Sequence, residues 1–262
     1  MDKLHKYPRT RHLSGSALQK GDEDLSVIVF ADIADKYIVA EEKLDGANSG
    51  ISFVNGELML QSRGHYLTGG YRERHFDFLK NWTNTFVTEL YSVLGERYVM
   101  YGEWLYAKHT IFYDKLPHYF LEFDIFDKET NDFFSTAKRR EILMPLYFVQ
   151  SVPVLKEGYF LGLDELKDCI GKSLYKSVDW RESLRIVCEK NKLNYELALK
   201  QTDNTDLAEG LYLKIEKDGK VIERCKFVRN EFTAQIQSSE SHWLDRPIIP
   251  NQLERGEFDW FH

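Results

Sequence analysis

The chain has 262 residues, 43% of them hydrophobic and 14% aromatic, enough for a substantial core in one large domain or two small ones. Its formal net charge of -7 excludes a general basic coat for nucleic acid, although a local basic cluster is sufficient for phosphate contacts. No apolar run could span a bilayer, Met1-Asp2-Lys3-Leu4-His5-Lys6 lacks a signal-peptide apolar region, and three cysteines without metal-ligand spacing suit a reduced compartment, so a cytoplasmic address without structural zinc is expected.

Residues 1–24 read as an irregular N-terminal arm, polar and punctuated by Pro8, Gly15 and Gly21. A strand signal at Tyr37-Ile38-Val39-Ala40 runs into Glu41-Glu42-Lys43-Leu44-Asp45-Gly46-Ala47-Asn48, and strand signal resumes at Ile51. Asp45 and Gly46 favour a tight turn that would fix the direction of Lys43. A lysine amine becomes a nucleophile when burial or nearby cations lower its pKa. From a reference near 10.4, a neutral amine at pH 7.4 costs about 4 kcal/mol unless the site supplies it. Taken alone, the stretch reads better as a charged β-turn.

Asn55-Gly56 signals a hairpin between Ile51–Val54 and Glu57–Gln61, delivering Ser62-Arg63-Gly64 at its far end. The helical spacing of Leu79, Trp82, Phe86, Leu90, Val93 and Leu94 predicts one helix over 74–94, stopped by Gly95. A strand over 97–101 leads into Gly102-Glu103-Trp104, where glycine beside an acid lets backbone and carboxylate approach a ligand closely. The aromatic strand over 118–127 puts Phe120 and Phe123 on opposite faces by alternation. A short basic helix over 135–147 and a valine-rich strand at 151–155 follow. Residues 162–201 read as helical, with Asp179-Trp180-Arg181-Glu182 resembling a capping box. A second hairpin turns at Asp218-Gly219, between a strand opening Glu209-Gly210 and one reading Val221 to Phe227, with Arg224 and Lys226 on one face. Basic clusters at Arg9–His12, Arg72–His75, Lys138–Arg140 and Arg224–Lys226 read individually as solvated faces.

Lys43, Gly46 and Asn48 match the K-x-x-G-x-N motif, and the chain resembles the covalent nucleotidyltransferases, most closely RNA ligases of the nick-sealing type. The resemblance runs from roughly Val39 to Arg229 as an ordered set of motifs. It implies that Arg63 lies near the nucleotide, and that Glu103, in a Gly-Glu motif, binds ribose or assists a metal. Phe123 would stack on the purine with Asp124 beside it. Glu209-Gly210 would open the fourth motif. In the fifth, Lys226 is kept but Arg224 replaces a lysine, which leaves phosphate binding easy and proton donation in doubt.

The resemblance further implies an α+β nucleotidyltransferase domain, the ligase adenylylation domain, of antiparallel sheets flanked by helices and without a C-terminal OB-fold. Residues 1–262 would form one domain, with the arm at 1–24, a helical insertion at 160–205 and a C-terminal tail at 230–262. The implied activity is an ATP-dependent RNA ligase joining 3′-hydroxyl and 5′-phosphate ends through lysyl-AMP and an adenylylated 5′-phosphate, at nicks in duplex. DNA sealing, a guanylyltransferase using GTP and a non-catalytic nucleic-acid binding module are the alternatives. Catalytic roles fall to Lys43, Glu103, Glu209 and Lys226. Nucleotide contacts fall to Glu42, Asn48, Arg63, Phe123, Asp124 and Arg224, and Mg²⁺ or Mn²⁺ to Glu103 and Glu209. Cations around the site would depress Lys43. The expected partner is RNA with nicked or broken ends, or DNA, with an end-healing or kinase partner from another chain and no membrane. Arg9, Arg11 and His12, the least committed cations, are expected to touch phosphates beside the break.

Overall fold

The computed structural model describes residues 4–18, 22, 24–238 and 246–254, so parts of the expected arm (1–3, 19–21 and 23) and tail (239–245 and 255–262) lie outside the described residues. Its strands are β1 (Arg11–His12), β2 (Tyr37–Lys43), β3 (Ala47–Val54), β4 (Glu57–Ser62), β5 (Tyr98–Trp104), β6 (Phe120–Asp127), β7 (Asp132–Phe133), β8 (Gln150–Ser151), β9 (Val154–Gly158), β10 (Gly210–Lys217) and β11 (Lys220–Val228). They form a five-stranded sheet ordered β1-β11-β10-β2-β9 and a six-stranded sheet ordered β4-β3-β5-β6-β7, with β8 beside β6. Pairing is antiparallel except for the short β1·β11 and β6·β8 ladders. This is an α+β fold.

Both expected hairpins form. Asn55 and Gly56 take φ of 52° and 78°, and Asp218 and Gly219 take 51° and 77°, the paired positive values that match strand twist in a two-residue turn. Alternation then sorts the faces of β10, where Leu211, Leu213 and Ile215 enter an apolar cluster with Ile38 and Ala40 of β2. On the other sheet, Ile51, Phe53, Met100, Phe120 and Ile125 pack with Leu79, Trp82, Leu90 and Leu94.

The helix predicted over 74–94 is broken. A 3₁₀ turn at Tyr71–Phe76 precedes α1 (Asp77–Thr85) and α2 (Val87–Leu94), which part at Phe86 with φ -109° and ψ 23°. The side chains of Thr83, Asn84 and Thr85 donate to carbonyls one turn back, a competition that weakens a helix interior. The Phe86 ring stacks on Phe148 at 4.0 Å. Beyond α3 (Thr136–Leu143), the stretch 160–205 holds α4 (Leu163–Lys167), α5 (Trp180–Lys190) and α6 (Tyr195–Lys200) rather than continuous helix. The capping box at Asp179 does not form: its side chain caps nothing, and Glu182 is drawn to Arg185 at 2.8 Å. The chain continues through α7 (Asn230–Ser238). No helix of the described residues is long and apolar enough to cross a membrane.

Most of the described arm has no regular structure, as expected, but residues 11–12 do. β1 adds in parallel to β11, pairing Arg11 with Cys225 and His12 with Lys226. Tyr7 is buried among Val99, Tyr101 and Phe126.

Candidate active site

β2 and β10 are neighbours, and their register sets Lys43 opposite Gly210, which brings Glu209 alongside. Four residues later the chain enters the other sheet at Ala47, where Asn48 pairs with Glu103. The Leu44–Gly46 connector therefore bridges the sheets at the point where Lys43 ends one of them. Only glycine fits at position 46, because a Cβ would stand 2.7 Å from the Trp104 carbonyl and from Leu105. Its N–H donates to Glu103 at 3.0 Å. Asp45 is anchored by the N–H groups of Thr110 (2.6 Å) and Ile111 (2.7 Å).

Between the sheets lies a cavity of about 980 Å³, whose wall includes Glu42, Lys43, Asn48, Arg63, Glu103, Phe123, Glu209 and Lys226. These predicted residues are brought together. Phe123 is half-buried, edge-on to Tyr7 at 5.2 Å and parallel to Tyr212 at 6.4 Å, whereas Phe120 packs in the core beside Trp82. The Glu42 carboxylate points to Ser173 and the Leu174 N–H, and burial raises its pKa.

Asp124 and Arg224 are not on the cavity wall. Asp124 is fully buried, 3.3 Å from Lys214 and bonded to the Tyr7 hydroxyl; burial opposes its charge, but Lys214 and Arg224 prevail and lower its pKa. The Arg224 guanidinium lies over the Phe133 ring at 4.1 Å and 3.7 Å from Asp124, covered by Tyr7.

The charges around Lys43 are the reverse of those expected. Burial works against the Lys43 ammonium, but Glu209, with Oε1 at 2.7 Å, Glu103 and Asp45 outweigh it and raise the pKa. The nearest charges are carboxylates, so the free site holds an ammonium rather than a depressed amine. The same burial pushes Glu103 and Glu209 up to about 7 despite Lys43. Lys226 is lowered, by burial and then by Lys43.

The cations of the arm are also committed to carboxylates. Arg9 meets Asp24 at 2.7 Å and Asp22 at 3.4 Å, Arg11 pairs with Glu223, and His12 is buried against Ser16 and Asp22. Asp22 also holds Lys226 at 2.5 Å. Of the three expected phosphate contacts, Arg9 and Arg11 stay partly exposed in these pairs, at 43% and 36%, whereas His12 is buried at 1%.

Sequence reasoning missed a fully buried ionic network behind the cavity. Lys214 meets Glu41 at 2.9 Å and donates to the Phe123 carbonyl; Arg139 joins Glu41 (2.8 Å) to Glu122 (3.0 Å). Buried charges persist only when paired in this way. One signal was available: Lys214 falls on the opposite face of β10 from Leu211, Leu213 and Ile215, toward the cavity side with Tyr212.

A family model described as RNA ligase matches residues 36–228. The chain belongs to the RNA ligase family. No curated protein matches it. Among solved structures, a Naegleria gruberi RNA ligase with PPi is similar at 18% identity and a TM-score of 0.55, over 77% of this chain and 52% of that one. Mutants of the same ligase with ATP and Mn, and with AMP and Mn, match at 14% and 15% identity, each with a TM-score of 0.53 over 79% of this chain and 53% of theirs. At such identities the likeness is one of fold, and the chain spans about half the length of these structures. They fit the nucleotidyltransferase architecture of antiparallel sheets flanked by helices.

Proposed function

We propose that this chain is an ATP-dependent RNA ligase that seals 3′-hydroxyl to 5′-phosphate ends, at nicks in duplex, through a lysyl-AMP intermediate on Lys43. The observation that carries the reading is the Lys43 amine at the wall of a nucleotide-sized cavity, facing two carboxylates, with an aromatic ring and a second lysine on the same wall. Membership of the family supports it, as does the relatives' capture of ATP, AMP and PPi.

The residues present fit a nucleotide with a divalent cation. Asn48 Oδ1 is buried and accepts no hydrogen bond from the described residues, an acceptor suited to a ribose hydroxyl. No cluster of three or more metal-ligating side chains exists among the described residues. Mg²⁺ and Mn²⁺ do not need one, since Mg²⁺ is usually held by one or two carboxylates, waters and substrate phosphates. Glu103 and Glu209 would hold the cation, and their hard, desolvated oxygens suit it. Bound there, it would supply positive charge to the phosphates, and the carboxylates holding it would no longer be free to pair with the Lys43 ammonium.

Phe123 stacks on the purine. Lys43 Nζ, its proton first released to solvent, attacks the α-phosphorus, forming a P–N bond as pyrophosphate leaves. Lys226 and Arg63 balance charge on the phosphate oxygens, so that stabilisation is aimed where charge develops. A 5′-phosphate oxygen then displaces Lys43 from the adenylate, and a 3′-hydroxyl displaces AMP. Asp22 must release Lys226 for that lysine to reach phosphate.

Sealing tests the substrate side. Pre-adenylylated enzyme should seal nicked RNA duplex faster than single-stranded RNA ends, because the template aligns the 3′-hydroxyl for in-line attack. Equal rates would remove the nick preference. Sealing of DNA alone would replace the RNA reading with a DNA one.

A further inference from the structure

We infer that Asn251 is a positioning residue for the nucleophile turn: it braces the loop over 105–113 that holds both Asp45 and Gly46. This rests on the ligase reading above. Asn251 is fully buried, and both ends of its side-chain amide are satisfied by that loop. Its Oδ1 accepts from the Tyr113 N–H at 2.9 Å, and its Nδ2 donates to the Leu105 carbonyl at 2.7 Å.

Each of those residues touches the turn that follows Lys43. The Tyr113 hydroxyl accepts from the Asp45 N–H at 2.9 Å, and the N–H groups of Thr110 and Ile111 grip the Asp45 carboxylate. Leu105 packs against Gly46 on the other side, closely enough to exclude a Cβ. One buried amide therefore sets the distance between the two walls of the turn.

Asn251 is itself held by backbone. Its N–H donates to the Tyr106 carbonyl and its own carbonyl accepts from the Tyr119 hydroxyl. On either side, the Lys108 N–H donates to Ile249, the Gln252 N–H to Tyr113 and the Glu254 N–H to Leu116. Bridges Ala107–Pro250 and Leu116–Leu253 flank it. Residues 249–254 of a stretch read from the sequence as a tail are thus bonded to the loop behind the nucleophile and the residues just after it. An aliphatic side chain at 251 would strand the Tyr113 N–H and the Leu105 carbonyl in a dry interior, and the loop would shift to find partners.

A shift of that kind moves Lys43 relative to the α-phosphate while leaving the cavity that binds the nucleotide. Asn251→Ala should therefore slow lysyl-AMP formation by about ten- to a hundred-fold, with KM for ATP changed by less than about threefold, because misplacement by about an ångström costs rate rather than binding. Sealing of nicked RNA carrying a pre-adenylylated 5′ end needs no Lys43 amine and should stay within about twofold of wild type. Tyr113→Phe removes only the hydroxyl that receives the Asp45 N–H. It should show the same split in smaller degree, and it carries the test if Asn251→Ala does not fold. Equal loss of both activities would show that Asn251 only stabilises the fold, and unchanged lysyl-AMP formation would show that the brace does not govern Lys43; either overturns the inference. A wild-type chain that forms no lysyl-AMP would instead refute the ligase reading beneath it.

Discussion

The Lys43 ammonium and the Glu209 carboxylate stand 2.7 Å apart, and burial opposes both charges. For Glu103 burial prevails and lifts the carboxyl from 4.5 to about 7. Between those pH values the folded chain keeps a proton that the unfolded chain has released, so stability falls as pH rises through that window, and the full cost stands above about 7. Glu103→Gln removes the charge while keeping an oxygen for the Gly46 N–H. It should raise stability over wild type at pH 7.5 by up to roughly 3 kcal/mol and lose that advantage near pH 4.5. Urea unfolding at the two pH values measures the gap, and a gap that does not move with pH would contradict the account. The resemblance placed Glu103 and Lys43 in one site, but in the free chain carboxylates rather than cations stand nearest Lys43. Motifs name residues, whereas pKa depends on which charge comes nearest. Arg224 shows the same limit: strand alternation put it on the face of Lys226, but nothing local told that Tyr7, from the far end of the chain, would cover it.

At the scale of elements, the hairpins were legible because their turns need particular residues, Asn-Gly and Asp-Gly, at positive φ. The break at Phe86 was not, because periodicity records faces and is blind to the side chains of Thr83, Asn84 and Thr85 competing for helix carbonyls. The β10–β11 pairing next to Glu209 depends on backbone approach at Gly210, where a Cβ would lie 1.8 Å from the Phe227 carbonyl. Gly210→Ala must therefore part β10 from β11, and it should cost roughly 4 kcal/mol or more of stability, the range reserved for such unrelieved strain. Gly219→Ala has open space and only the φ of 77° against it, so it should cost about 1 kcal/mol. Urea midpoints of the pair decide this; equal midpoints would mean the sheet yields at Gly210.

Across the whole molecule, residues 43, 103, 123, 209 and 226 converge because β2, β5, β6, β10 and β11 all face one cavity between two sheets. An ordered set of motifs made that convergence readable without coordinates. Among the contributions from outside the matched span of 36–228, two were not readable: Tyr7 beneath Phe123, and Asn251 behind Asp45. Both act through contacts between residues about a hundred or more positions apart, and neither carries a local pattern. All of this rests on Lys43 being the nucleophile. Incubation with α-labelled ATP and Mg²⁺ measures that directly: the account predicts an acid-stable labelled protein in wild type and none in Lys43→Ala. Label from GTP but not ATP, or label that survives Lys43→Ala, would contradict it.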